Sequence, residues 1–401
     1  MKQKKQYFLS ILLVILFLTM TAFSMKIMVG MILIFEEFDV PNFLNRGALM
    51  FYCVLLLSFI LYHKFDKSIL GYGFSQLLLV FLLLNSMASL LSNTATNDIM
   101  YNTLLLVLAV LTYVVGYNLY SRMPREKKLF EYLAIFSTIA LCAEYLVLSN
   151  IMRLDFNHTA LMLGISYVPL ILTPLLLLNK NKLSWVSFIL VSYVLIDSGK
   201  RGGIIALILG LILYYYCIKT NINRSKKYGA IVFIVIFVLL LWGVLSEYVE
   251  NTEFFYRLLH GSDDSDYSSG RFDIYGDALS KYFHSDMWGM LFGHGLGSVA
   301  TVSKYGVTAH NDFIEVLYDF GIVGFMSYLL FYHAFFRQII SIPKRDKSMR
   351  GVYVYTLALT FFLSTFSQIL VYQYLCLFTF TWGALSGARR QERLSAQIFA
   401  K

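Results

Sequence analysis

Four side chains in this sequence have the types and the setting to do chemistry: His310, Lys200, Arg201 and Arg271. His310-Asn311 closes a long polar segment and opens an apolar one that carries Asp312, Glu315 and Asp319 at helical spacing, followed by Gly321-Ile322-Val323-Gly324. An imidazole titrates near neutral pH, so His310 is suited to accept a proton from a hydroxyl. Asn311 is a neighbouring ligand contact, and Glu315 and Asp319 either orient the ring, bind ligand hydroxyls or hydrogen-bond adjacent helices. Ser198-Gly199-Lys200-Arg201-Gly202-Gly203 fixes two cations between two apolar stretches with almost no loop. The planar guanidinium fork fits phosphate oxygens, whereas the alternative reading is a snorkelling pair that marks a turn. Arg271 follows Ser268-Ser269-Gly270 at the expected start of a helix. Anion sites gather arginines and backbone N–H groups, so Arg201 and Arg271 are expected to meet on one diphosphate, with Arg257 a weaker candidate. Arg257 and Arg271 have a second option, pairing with nearby loop carboxylates, which stabilises little at an exposed surface.

The elements that must hold these residues are membrane helices. The chain is 58% hydrophobic and 14% charged over 401 residues, with a mean hydropathy of +0.66, which excludes a soluble domain of this size. Runs long enough to cross the hydrocarbon core recur at 7–35, 47–63, 69–92, 103–121, 129–148, 159–178, 183–198, 203–218, 228–246, 312–336, 352–367 and 370–388. Backbone polar groups cannot be left bare in lipid, so the fold class is an all-α polytopic membrane protein of about twelve helices. The basic start before Tyr7 resembles a secretory signal, but the further spans make it a first transmembrane helix.

Charge placement agrees with that count. With both termini cytoplasmic, most of the 33 Lys and Arg fall in inner segments: Lys2 to Lys5, Lys64 and Lys67, Arg122 to Lys128, Lys180 and Lys182, Lys219 to Lys227, Arg337 to Arg350 and Arg389 to Lys401. The net charge of +9 is therefore a topology signal and implies no nucleic-acid partner. Cys53, Cys142, Cys217 and Cys376 are scattered in apolar spans, without metal-ligand spacing or a disulfide framework.

Three regions follow: 1–246 with nine spans, 247–311 as one large extracytoplasmic loop, and 312–401 with three spans and a basic cytoplasmic tail. Long loops in compact proteins are usually functional or disordered. Its first part, through Asp263-Asp264-Ser265-Asp266, is an acidic solvated segment whose DxD-like pattern lacks any α/β domain to hold a nucleotide. From Arg271 to His284, Phe272, Tyr275, Ala278, Leu279 and Tyr282 recur at three and four, which predicts an amphipathic helix lying on the membrane or capping the bundle. Gly293, Gly295 and Gly297 then form a sharp turn, without the spacing of a dinucleotide fingerprint.

Taken in order, Ser198-Gly-Lys-Arg201, Ser269-Gly270-Arg271 with its aromatic helix, Leu291-Phe-Gly-His-Gly-Leu-Gly297 and Ala309-His-Asn-Asp-Phe-Ile-Glu315 through Gly324 resemble the O-antigen polymerase and O-antigen ligase superfamily of bacterial envelope glycosyltransferases. The resemblance covers roughly Val191 to Phe336. It implies a GT-C-like, inverting transfer without metal or other cofactor, on the outer face of the bacterial cytoplasmic membrane. Arg201 and Arg271 would hold an undecaprenyl-diphosphate-linked oligosaccharide and His310 would assist the acceptor hydroxyl, with membrane lipid, a chain-length regulator and a flippase as further partners. Lys200 stands where the family more often has Ser before the Arg, and the first 190 residues carry no family mark, which leaves the acceptor unread. The Gly-His-Gly-Leu-Gly turn and the Gly-Ile-Val-Gly ending favour a polymerase of O-antigen or capsule repeat units over a ligase. A lipid-linked oligosaccharide flippase would instead place charges at mid-membrane across repeated halves, where only Lys26 and Glu144 stand.

Overall fold

The computed structural model describes residues 96–122, 127–155, 166–178, 181–198, 200–219, 271–304, 306–367, 369 and 372–399. Among these the chain forms eleven helices and no strand: α1 (Thr96–Arg122), α2 (Lys127–Asp155), α3 (Tyr167–Leu178), α4 (Leu183–Asp197), α5 (Arg201–Ile218), α6 (Arg271–Phe283), α7 (Met287–Phe292), α8 (Val299–Val302), α9 (Asp312–Ser341), α10 (Lys347–Phe366) and α11 (Tyr372–Phe399). The spans expected at 103–121, 129–148, 183–198, 203–218, 312–336, 352–367 and 370–388 each coincide with a helix, and α3 covers the second half of 159–178. Those at 7–35, 47–63, 69–92 and 228–246 lie outside the described residues, as do Lys26 and Arg257. Among the described residues α9 is long and apolar enough to cross a membrane, with a mean hydropathy of 1.5 over its most apolar window.

Small and aromatic residues bring the helices together. α1 and α11 cross in close backbone contact where Gly116 faces Phe380 and Gly383 faces Tyr113, the small-residue packing that apolar helices use in place of a hydrophobic drive. Thr112 and Thr379 hydrogen-bond across that seam at 2.8 Å. Phe331 and Phe335 of α9 stack on the buried Trp382 of α11 with centroids 4.9 and 4.1 Å away. Thr173 of α3 meets the Tyr355 hydroxyl of α10 at 2.6 Å. Cys142 and Cys376 are buried in this core.

Two boundaries differ from the sequence reading. α11 continues through Arg389 and Arg390 to Phe399, so the start of the basic tail is helical. Arg389 is buried, donates to the Ser341 hydroxyl and lies 5.9 Å over the Tyr353 ring, which gives its charge partners inside the bundle. The larger correction concerns α9, which is broken: Gly321 has φ 65° and ψ −170° within it. A first piece, 312–320, carries Asp312, Glu315 and Asp319, and a second, 322–341, supplies about 20 residues, or roughly 30 Å. The three acids therefore lie outside the piece of α9 whose length matches a hydrocarbon core.

A broken helix frees carbonyls, and the glycine turn takes them up. His294 N–H donates to Tyr318 O at 3.2 Å and Gly295 N–H to Asp319 O at 2.8 Å. Gly293 (φ 78°) packs on the Asp319–Phe320 backbone, and Gly321 on that of Leu291–Phe292. The Gly321 backbone lies in a region open only to glycine, where another residue costs about 1–3 kcal/mol before any clash. Gly321→Ala is expected to lower the unfolding temperature in detergent and the yield of folded protein. Thermal unfolding checks this, and an unchanged transition would mean that the break is not required.

Candidate active site

At one end of the bundle four segments meet: the α4–α5 junction, the start of α6, the start of α9 and the end of α10. Chain direction puts the C-terminus of α9 and the basic Lys344 to Arg350 turn at the opposite end. α4 ends at Asp197, a buried carboxylate that accepts from the Tyr145 hydroxyl at 2.9 Å. The chain reverses through Lys200, whose N–H donates back to Leu195 O at 3.0 Å and whose C=O accepts from Ile204 N–H at 3.0 Å. Lys200 thus precedes α5 and Arg201 is its first residue. Such a helix start offers unpaired N–H groups and a partial positive charge to an anion.

The Lys200 ammonium lies 5.0 Å over the Tyr167 ring at the start of α3. Tyr167 fills the space against Gly203, where an added Cβ would come within 2.8 Å of the ring. Arg271 begins α6 and donates from Nη1 to Phe366 O at 3.4 Å, which ties the loop helix to the end of α10. The structure thereby joins Lys200, Arg271 and His310 in one electrostatic neighbourhood: both cations act on the imidazole. Arg201 is adjacent through the backbone.

His310 has φ 52°, a left-handed conformation that costs energy for a residue with a Cβ and that histidine adopts more readily than most. Clamps on either side hold it. Glu315 Oε1 accepts from Ala309 N–H, and Asn311 caps α9, its Oδ1 accepting from Phe313 N–H at 3.0 Å and Ile314 N–H at 3.3 Å. Asp312 is fully buried and accepts from Ile369 N–H at 3.0 Å and from the Tyr328 hydroxyl at 3.2 Å. No hydrogen bond to a described residue holds the His310 ring, which keeps an exposed edge. Burial of the rest of the residue, then the charges of Arg271 and Lys200, lower its pKa to about 4. The exposed edge weakens the burial contribution, but all three causes push in the same direction, so the imidazole is neutral at pH 7.

Asn311, Asp312, Glu315 and Asp319 each accept hydrogen bonds from backbone groups of the protein itself. Asp319 is buried and accepts from the Gly297 N–H at 2.6 Å, which ties α9 to the glycine turn. Glu315 and Asn311 fix the backbone on each side of His310. The amphipathic stretch takes the capping option: Ile274, Ala278 and Tyr282 of α6 are buried with Tyr318 of α9, Val299 and Ala309.

Sequence reasoning missed three features. Tyr167 gave no signal because nothing near it is patterned. Phe366 O acts through the backbone and is invisible in side-chain types. His294, inside the glycine turn, stacks on Tyr318 at 4.7 Å and shares a 2.8 Å hydrogen bond with Ser285. It closes α7 onto α9.

An all-helical bundle thus gathers two cations and a neutral imidazole at one end, around a loop helix. Residues 186–329 of the 401 match the family model described as O-antigen ligase, and that segment is similar to this family. The match takes in Lys200, Arg201, Arg257, Arg271 and His310 and ends within α9. No curated protein matches the chain.

Proposed function

We propose that this protein polymerises undecaprenyl-diphosphate-linked oligosaccharide repeat units into O-antigen or capsular polysaccharide, at the outer face of the bacterial cytoplasmic membrane. The observation that carries the reading is the meeting of Lys200, Arg271 and His310 beside the start of α5. In the step itself the acceptor hydroxyl oxygen bonds to the anomeric carbon of the donor sugar while the bond from that carbon to the diphosphate oxygen breaks, inverting the centre. The bond's electron pair leaves with the lipid diphosphate, whose charge Arg201, Arg271 and Lys200 offset. The hydroxyl proton passes to the imidazole of His310.

A base whose pKa lies near 4 is weak, and the donor itself corrects this. A diphosphate bound at Arg271 and Lys200 offsets the two charges that depress His310, so its pKa rises in the donor complex. The expected pH profile has an acidic limb in kcat/KM near pH 4, below which His310 is protonated and activity is lost, and a limb in kcat at higher pH. These report the free enzyme and the complex respectively. Coincident limbs would contradict the coupling.

The description of the matched family favours a second reading, O-antigen ligase, in which the finished glycan passes to a lipid or other acceptor. Both reactions share the donor and differ in the hydroxyl admitted. Electrophoresis of envelope glycans from a deletion strain separates them. Single repeat units or loss of polymer support polymerisation, and long chains accumulating on the lipid diphosphate support ligation.

A further inference from the structure

Among the described residues α7 presents most of its large side chains outward. Met287 is 75% exposed, Trp288 71% and Phe292 43%, and Phe283 at the end of α6 is 64% exposed. Trp288 and Phe292 stack with centroids 5.4 Å apart. The opposite side of α7 is occupied: Gly289 is buried against the His294 ring, and Met290 packs with the cluster of Ile274, Tyr282 and Tyr318. The Asp286 carboxylate is engaged in capping, accepting from Gly289 N–H at 2.8 Å.

The height of α7 on the bundle is fixed by its contacts with α9. Leu291 and Phe292 touch Gly321, and Gly293 touches Asp319 and Phe320, so α7 lies level with the break. Below the break, residues 322–341 match the hydrocarbon thickness at about 1.5 Å per residue. α7 therefore sits at the outer hydrocarbon boundary, where tryptophan and other aromatic side chains concentrate. Past the break, α9 itself exposes Ile322, Met326, Leu330 and Phe336.

We propose that α7, with Phe283, is an interfacial anchor whose Met287, Trp288 and Phe292 insert into the outer leaflet of the bilayer beside Gly321. Its occupant is lipid, and the proposal does not rest on the reaction assigned above. The anchor reaches the site through the glycine turn: α7 is joined by Gly293 to His294, Gly295 and Gly297, which bind the half-helix that Asn311 and Asp312 start. The depth of α7 thus sets the height of His310 above the membrane.

The full chain and its Trp288→Phe variant, reconstituted in phosphatidylcholine and phosphatidylglycerol vesicles, supply the test. The difference between their emission spectra isolates Trp288 from the other three tryptophans. With brominated acyl chains the Trp288 component is expected to be lost, more completely with shallow than with deep bromines. A component that survives bromine and is quenched by aqueous iodide would overturn the proposal by placing α7 in water. One that survives both quenchers would overturn it by placing α7 against protein, either another segment or a second copy. Phenylalanine retains the apolar packing, so the variant leaves the fold in place.

Discussion

His310→Ala is expected to lower glycan transfer by roughly 10²–10⁴-fold, the usual contribution of a positioned general base, while the protein still inserts in the membrane. The ring is well placed for that role, with an exposed edge, no hydrogen bond to a described residue and two cations beside it. One complication is structural: at φ 52° alanine is strained, so a loss of activity alone could reflect the turn. His310→Asn removes the complication, because asparagine tolerates the left-handed region and carries no titratable ring. Both variants should fail equally in transfer while His310→Asn keeps the wild-type unfolding temperature. Near-normal surface glycan in cells carrying His310→Asn would remove the imidazole from the mechanism.

Arg271→Lys is expected to lose activity on the order of 10²-fold although its charge is kept, the scale seen when one preorganised donor to a developing anion is removed. Arg271 spends Nη1 on Phe366 O and has the remaining donors of its fork for a diphosphate. A lysine ammonium cannot span both tasks with the same geometry. The pH profile distinguishes lost geometry from lost charge. Arg271→Lys should leave the acidic limb of kcat/KM where it is, whereas Arg271→Gln should move it upward, since a neutral residue no longer depresses His310. The same reasoning applies to Arg201→Lys. Full activity in both lysine variants would reduce the arginines to packing and topology.

Much of this site was legible because its chemistry resides in residue types that membranes rarely tolerate. Lys200 and Arg201 break an apolar context, Arg271 and His310 stand where helices begin in or after the long loop, and a periodic signal predicted both α6 and α9. The break in α9 was not legible. Gly321-Ile-Val-Gly reads as helix, and the conformation of Gly321 is set by the distant Leu291–Phe292 backbone, a contact local pattern cannot contain. For the same reason the sequence left three roles open for the carboxylates of Glu315 and Asp319: orienting the ring, binding ligand hydroxyls or hydrogen-bonding within the fold. Only the fold shows that Ala309 and Gly297 supply their donors. Tyr167 belongs to a part of the chain with no motif, and its place under Lys200 follows from helix packing alone. α6 had two equivalent readings from its amphipathic pattern. Burial of Ile274, Ala278 and Tyr282 under the loop selects the cap, and leaves the membrane surface to the shorter α7, whose six residues are too few for periodicity to reveal.

The central claim, that the Lys200, Arg201, Arg271 and His310 cluster forms a glycosidic bond at the expense of a lipid diphosphate, is tested most directly with purified protein in liposomes supplied with undecaprenyl-diphosphate-linked repeat units. The account predicts longer lipid-linked glycans together with one released undecaprenyl diphosphate for each bond formed, both lost in His310→Asn. Movement of the intact substrate across the bilayer with no new bond and no released diphosphate would contradict it.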